Sequence, residues 1–396
     1  MIRPKIFIKK NCLCGGELTR KINFGKLPII NDFKKIKTEK YPTIISQCRK
    51  CLLIQLKDSV KDRIIYPKNY SYLSGDSREK LEDYNDLMSK LSKKFKVKKP
   101  NIIDIGGNDG SLMSFAKKQG YNVTNIEPTN VAKISKKKGI QTIKKEFNFN
   151  FSKKLSKKKK FDFVVTTNFF AHTNNLNNII KGIKNILNEN GVLVIEIQYL
   201  YKVLKDNGFD SIHQDHKYYY TLSSLNSILR IFNLYMFDAE FLKKQKEIIR
   251  VYVGKDLRKK TSQLKKILNK ERDKNVINKI KKLNDFRKNY VSNLKKVLNN
   301  LILKNKKISA ISASPRGCVL LNSCNLEKSI IKNVGEVQGS FKINKLIPGT
   351  NIPIKNEKII IKNQPDYILI LAWHLKDRLK KILVKNGYKG KFIVPL

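Results

Sequence analysis

Between Asn101 and Pro128 the chain alternates apolar runs and polar breaks in the order strand, glycine turn, helix, strand. Asn101 to Ile105 is a short apolar run, and Gly106, Gly107 and Gly110 follow it, so the backbone can turn sharply and approach a ligand with no Cβ in the way. A second apolar run ends at Glu127, about 20 residues on, where a βαβ unit sets a carboxylate over a nucleoside. The alternation continues downstream. FDFVVTTNFF (161–170) and GVLVIEIQYL (191–200) read as strands, and LNNIIKGIKNILNEN between them reads as an amphipathic helix closed by Gly191. Residues 256–303 repeat Leu and Ile at helical spacing, after which KKISAISASPRGCVLLN reads as strand, loop and helix and DYILILAWH as another buried strand. The predicted fold class is α/β.

These patterns divide the chain into 1–58, a small thiol-bearing domain; 59–99, a connector that ends in a helix; 100–255, the cofactor domain; 256–303, a helical linker; and 304–396, a second α/β domain. The connector opens with YPKNYSYLSGDS, in which Tyr70 and Tyr72 lie among Ser74, Gly75 and Ser77, a composition suited to a lid or pocket wall. The last domain shows no acidic ribose signal, so the sequence assigns it no second cofactor.

Composition adds limits. At 396 residues with 41% apolar content the chain can build two or three real cores. A formal charge of +51 invites a nucleic-acid reading. Lysine is spread over every segment, though, and the basic stretches lack the interleaved aromatics of a base-stacking platform, so nucleic acid is disfavoured as a partner. The longest apolar run, Tyr367 to Trp373, is far short of the roughly 20 residues that span a bilayer, so no membrane partner is expected. MIRPKIFIKKNC lacks the apolar core of a signal peptide, which leads to the expectation of a cytoplasmic protein with reduced thiols.

The glycine turn GGNDG departs from G-x-G-x-x-G, because Asn108 stands where a dinucleotide needs a bare glycine for its pyrophosphate. S-adenosylmethionine has no phosphate and tolerates Asn108 and Asp109, the latter placed for its ammonium group. The pattern therefore favours adenosylmethionine over a flavin or nicotinamide, with Asp104, Gly106, Asn108, Asp109 and Gly110 around the amino-acid portion and Glu127 on the ribose. Ligands in such folds lie at the carboxyl ends of strands. Asn168 and His172 close one predicted strand there, and Glu196, Gln198 and Tyr199 the next. The four histidines, at 172, 213, 216 and 374, all fall at predicted strand ends or in the loops after them, and at least one is expected to be catalytic.

Cys12, Cys14, Cys48 and Cys51 form two close pairs, a four-thiolate zinc pattern in which the second pair has C-x-x-C spacing and the first the tighter C-x-C. Zn–S bonds would supply much of the folding energy of so small a domain.

With these residues in place the chain resembles the sugar C-methyltransferases that act on nucleotide-linked 4-keto-6-deoxy sugars. The resemblance runs nearly end to end and rests on CRKCLLIQL, IDIGGNDGSL, NFFAH, IPGTNIPI and LILAWH in the family's order. It implies an N-terminal zinc module, a central adenosylmethionine-binding Rossmann domain and a C-terminal Rossmann-like domain that helps to hold the nucleotide sugar. The family's Y-H-E-H segment corresponds to His213, Gln214, Asp215 and His216; only the last histidine is kept, and it inherits the role of general base, while His213 stands for the tyrosine and Asp215 for the glutamate. The histidine after the fourth strand is retained as His172. Arg316 and Gly317 replace a lysine and glycine, and Arg316 and Lys342, in the SPRG and GSFK loops, are candidate contacts to a diphosphate.

The activity implied is removal of a proton next to the ketone and methylation of the resulting enolate. An imidazole with an ordinary pKa of about 6.5 suits the base, and a second donor must hold the oxyanion. His216 is the expected base, with His213, His172 or Tyr72 as candidate donors. An O- or N-methyltransferase on a sugar or other small metabolite remains open as an alternative, as does an RNA-modifying methyltransferase. The protein is expected to be monomeric.

Overall fold

The computed structural model describes residues 5–271 and 275–395, apart from the side chain of His374, so that histidine lies outside the described side chains. The chain folds into two compact units. One holds the residues up to Lys21 with Ser46–Lys205 and Lys217–Ile277; the other holds Ile22–Ile45, Asp206–His216 and the residues from Asn278 onward. Each unit is thus built from separated stretches, whereas the sequence pattern cuts the chain at 58, 99, 255 and 303.

In the first unit seven strands form one sheet, in the order Tyr235–Phe241, Ile248–Gly254, Leu187–Gln198, Phe161–Thr167, Asn101–Ile105, Asn122–Ile126, Thr142–Ile143. Ile248–Gly254 runs antiparallel to both its neighbours, and the remaining pairs are parallel. Because side chains alternate across a strand, each strand supplies both faces. Ile103, Ile105, Val164, Leu193 and Ile195 pack with Ile179, Ile180 and Ile183 of the helix Leu176–Ile186. Ile102, Phe163, Val165, Val192 and Val194 pack with Tyr84, Leu87, Met88 and Leu91 of the helix Arg78–Phe95. Helices on both faces are the reason that these strands read as unbroken apolar runs. The strand order reverses between Asn101–Ile105 and Phe161–Thr167, the place where an open parallel sheet leaves a crevice for a ligand.

One boundary differs from the pattern. The helix expected over 176–190 ends at Ile186, and its last four residues already belong to the strand Leu187–Gln198. Leu187 is extended, with φ of −73° and ψ of 134°, and the strand register shifts between Leu187 and Val192. Gly191 therefore sits in a bulge instead of closing a helix; a Cβ there would stand 2.8 Å from Leu187 Cδ1.

In the second unit five parallel strands run in the order Ile354–Asn356, Val334–Glu336, Ile308–Ile311, Tyr367–Ile370, Lys391–Ile393. The first of them in the chain, Ile308–Ile311, lies at the centre, again with a reversal of order beside it. The helix Pro315–Ser323 follows, with Ser314 Oγ accepting from Gly317 N at 3.1 Å and Pro315 in the first turn, where its missing N–H leaves nothing unsatisfied. The linker pattern resolves into the helices Ser262–Lys270 and Val276–Leu303.

The first sheet carries a buried cation in its middle. Arg250 pairs in register with Glu196 on one side and Glu240 on the other, and its side chain has no exposed surface. Its guanidinium lies 2.8 Å from Glu196, 3.1 Å from Glu240 and 3.1 Å from Asp86, and it donates to the Asp83 carbonyl at 2.9 Å. Burial pushes the Glu196 carboxyl up even with that cation against it. Arg250→Met keeps most of the apolar stem but leaves Glu196 buried without its partner, and should cost about 3–5 kcal/mol. The measurement is the midpoint of urea denaturation, and a midpoint equal to that of the wild type would count against a structural role for the pair.

Candidate active site

At the carboxyl end of Asn101–Ile105 the backbone itself lines the crevice. Gly106 takes φ of +74°, and a Cβ on Gly107 would stand 2.0 Å from Asn125 Oδ1 and 2.6 Å from Asp104 Oδ2, so neither position admits a larger residue. Glu127 ends the next strand and is 5% exposed. Its carboxylate accepts from Asn108 N at 3.2 Å and Thr129 N at 2.9 Å, which fixes its orientation and leaves lone pairs for two further donors, as a ribose diol requires. Asp104 is buried, and its Oδ1 accepts no hydrogen bond from any described residue. Burial first, then the charges of Glu196, Glu127 and Asp109, hold its carboxyl well above the usual range. An acidic crevice with one unsatisfied carboxyl fits a cationic ligand, and adenosylmethionine brings a sulfonium and an ammonium.

Asn108 and Asp109 turn elsewhere than expected. Asn108 Oδ1 accepts from Ser74 N at 2.9 Å and its Nδ2 donates to the Tyr72 carbonyl at 3.0 Å. Asp109 Oδ2 accepts from Gly75 N at 3.2 Å, Ser111 Oγ at 2.9 Å and Lys138 Nζ at 2.8 Å. The ammonium that Asp109 was expected to meet is thus Lys138 of the chain itself. The two side chains clip the tyrosine-rich loop to the cofactor turn.

The end of Phe161–Thr167 is shaped by Asn168, whose left-handed φ of 55° lets its N–H donate to the Glu196 carbonyl at 2.8 Å. Beyond it, His172 Nδ1 lies 2.7 Å from Tyr66 Oη. Tyr66, Tyr70 and Tyr72 form a row with successive ring centroids 5.5 and 6.4 Å apart, and Tyr72 Oη accepts from Lys80 Nζ at 2.8 Å. Sequence reading passed over Tyr66, since a tyrosine in YPKNY carries no mark that separates it from a packing residue. The His172 hydrogen bond supplies the mark.

The expected base lies in the second unit. His216 N donates to the His213 carbonyl at 3.1 Å, which brings the two rings to a centroid distance of 4.2 Å. His216 Nδ1 is 3.0 Å from the Ser211 carbonyl, an acceptor only, so Nδ1 carries the hydrogen and Nε2 keeps its lone pair. The ring does not keep the ordinary pKa expected of it: burial, and then the Arg316 cation, bring the imidazole down to about 4. Asp215 accepts from Asn31 Nδ2 at 3.4 Å, and Gln214 donates to the Pro42 carbonyl at 2.6 Å.

Comparison with known proteins supplies the class. A family model described as a methyltransferase domain matches residues 77–238, and one described as a C-methyltransferase C-terminal domain matches 248–396. The chain is an S-adenosylmethionine-dependent methyltransferase with a C-methyltransferase C-terminal domain. The C-methyltransferase NovU of Streptomyces niveus is 22% identical over 393 residues, 95% of this chain and 92% of that protein. An S-adenosylmethionine-dependent methyltransferase from Clostridium acetobutylicum is 15% identical, covering 44% of this chain and 91% of that chain at a TM-score of 0.35. Magnesium protoporphyrin IX methyltransferase from Synechocystis is 12% identical, covering 44% of this chain and 83% of that chain at a TM-score of 0.35. The resemblance read from the motifs is borne out. No helix among the described residues is long and apolar enough to cross a membrane.

In the C-terminal domain of the methyltransferase, the loop after Ile308–Ile311 gathers the residues singled out in SPRG and GSFK. Arg316 Nε lies 3.6 Å from the buried Asp210, a carboxylate that the sequence did not reveal. Lys342 Nζ donates to the Ala313 carbonyl at 2.9 Å and lies 3.4 Å from Glu336. Gly317 is a packing position, where a Cβ would stand 2.6 Å from Leu371 Cβ. Glu336 ends the strand Val334–Glu336, the place of the acidic ribose signal that the sequence pattern did not show. It accepts from Ala313 N at 3.1 Å and so also braces the loop.

The four thiols of the methyltransferase converge. Their Sγ atoms lie within 4.8 Å of one another, with Cys12 and Cys51 3.6 Å apart and Cys14 and Cys48 3.4 Å apart. The tight first pair does not separate them, because Cys12 N donates to the Gly16 carbonyl and Gly15 N to the Cys12 carbonyl, each at 2.9 Å, curling the loop back. Lys50 N and Cys51 N point at Cys48 Sγ at 3.3 and 3.5 Å. The Cys51 thiol beside it holds Cys12 down to about 5, while burial pushes Cys48 up to about 11. The cluster can hold one metal ion of thiolate preference.

Glu127→Ala removes the acceptor for the ribose hydroxyls and should weaken adenosylmethionine binding by about 1–3 kcal/mol in titration calorimetry. Unchanged affinity would remove Glu127 from the cofactor site.

Proposed function

We propose that the protein methylates the carbon next to the ketone of a nucleotide-linked 4-keto-deoxy sugar. The observation that carries this reading is the second parallel sheet. A methyl-transfer domain already has its own crevice, and the C-terminal sheet repeats a nucleotide-binding strand order, with Arg316 after its central strand and Lys342, after the neighbouring strand, bonded to the same loop. Those cations suit a diphosphate, and Glu336 suits a ribose.

In this reading His216 Nε2 takes the proton beside the ketone, since Nδ1 is committed to Ser211. Its low pKa keeps it in the free-base form at neutral pH but makes it a weak base. A diphosphate against Arg316 would cancel part of that cation's field and strengthen the base when substrate binds. A donor must hold the developing enolate oxygen. The Tyr66–His172 pair, beyond the end of the strand Phe161–Thr167, is the first candidate, and Tyr72 and His213 are the others. Bound adenosylmethionine supplies the methyl group, and Asp104, Gly106, Gly110 and Glu127 orient it, with Asn108, Asp109 and Asn168 shaping the turn. The four thiolates of Cys12, Cys14, Cys48 and Cys51 hold one zinc, which contributes folding energy.

The test of the reaction is incubation with labelled adenosylmethionine and a panel of nucleotide 4-keto and 4-hydroxy sugars. Carbon methylation confined to the ketones supports the proposal, and transfer to the oxygen of 4-hydroxy sugars would refute it.

His216→Ala should abolish exchange of the proton beside the ketone with deuterated water while adenosylmethionine binding persists, because exchange needs the base but no methyl transfer. For the wild type, kcat/KM reports the free enzyme, so its acid limb should fall near pH 4 and not near 6.5. A mutant that exchanges at the wild-type rate sends the search for the base to Asp215 or His213.

Metal analysis of protein prepared without chelator should find one zinc per chain, lost in Cys48→Ser together with much of the thermal stability. Negligible zinc in the wild type would exclude the site.

A further inference from the structure

The hydrogen bond between Tyr66 and His172 is held from behind by an ion pair between a buried lysine and a half-exposed aspartate. Lys217 has no exposed side-chain surface, and its Nζ donates to Asp62 Oδ1 and, at 3.1 Å, to the carbonyl of His172. The same ammonium lies 5.8 Å from the Tyr66 ring centroid, over its face. Lys217 also reaches the loop through its backbone, where its N–H donates to the Ala171 carbonyl at 2.7 Å. One residue thus touches both members of the pair.

Asp62 completes the frame. Besides Lys217 its carboxylate accepts from Asn174 N at 2.9 Å, Asn174 Nδ2 at 2.8 Å and Thr173 Oγ1 at 3.4 Å, the two residues that follow His172. Its backbone carbonyl accepts from Tyr66 N at 2.7 Å, closing the short helix Asp62–Ile65 on which Tyr66 sits. Four donors on one carboxylate saturate it, so the loop from Ala171 to Asn174 and the turn that carries Tyr66 hang from the same two charges. Loss of Asp62 would leave the Lys217 ammonium buried without its counter-charge, and loss of either partner is felt through everything that the pair orients.

We infer that Asp62 and Lys217 are positioning residues: they set the Tyr66–His172 pair at the distance and angle at which it can serve the substrate oxygen. The inference rests on the reading above that this pair acts in the reaction. Lys217 follows His216 in the chain, so the residue that steadies the donor pair is the next one after the proposed base.

The test uses full-length protein with nitrogen-labelled histidine, in which the four imidazoles give a countable set of ring signals. The His172 signals are assigned by their loss in His172→Gln. Lys217→Met and the isosteric Asp62→Asn should both shift the His172 ring signals while adenosylmethionine affinity stays at the wild-type value. Both should also lower the exchange of the substrate proton, Lys217→Met by about 100-fold, the scale of a displaced catalytic group, and Asp62→Asn by less. If Lys217→Met no longer binds adenosylmethionine, Asp62→Asn alone decides. His172 ring signals at their wild-type positions, or exchange at the wild-type rate, overturn the inference. Wild-type protein that exchanges no keto sugar refutes the proposed reaction instead, and the ring signals, which need no substrate, still read the positioning.

Discussion

Like charges packed together in a low dielectric repel strongly, and the first unit places Asp104, Asp109, Glu127 and Glu196 around one end of one sheet. Each is compensated by a different device. Glu196 has the Arg250 guanidinium, Asp109 has Lys138, and Glu127 has two backbone N–H groups. Asp104 has none of these. The crevice is therefore finished everywhere except at the point where a cationic cofactor would complete it. In a chain whose formal charge is +51, this end of the sheet is a local concentration of acid, with Arg250 and Lys138 set against two of its members.

The central fold was legible because its strands are buried on both faces and its turn is short. Ile102, Ile103 and Ile105 followed by glycines can do little other than end a buried strand in a tight turn. The place of Glu127 just past the end of the next strand was legible for the same reason, being fixed by its distance from that turn. The roles of Asn108 and Asp109 were not, since a polar side chain in a turn can face the ligand or the next loop, and only the position of residues 72–75 decides which. The limit of Leu176–Ile186 was missed because Leu187 suits a helix and a strand equally, and a bulge needs its partner strand to be seen.

Long-range pairing accounts for the rest. Tyr66 and His172 are 106 positions apart, and Lys217 and Asp62 155 apart, so no periodicity could have joined them. The low pKa of His216 likewise comes from burial and from Arg316, a residue of another segment. Glu336 escaped for a different reason: the strand that it ends is three residues long, too short to register as an apolar run. The convergence of the cysteines could be read from spacing because two close pairs on loops that fold back together bring four sulfur atoms within 4.8 Å of one another.

The clips from Asn108 and Asp109 to the Tyr72–Gly75 loop tie the glycine turn to a segment outside the sheet. Coupling of this kind is reciprocal. Whatever steadies the loop also steadies the turn, and a ligand gripped by the turn would order the loop in return. Three hydrogen bonds thus make the order of this loop and the hold of the turn on a ligand a single property.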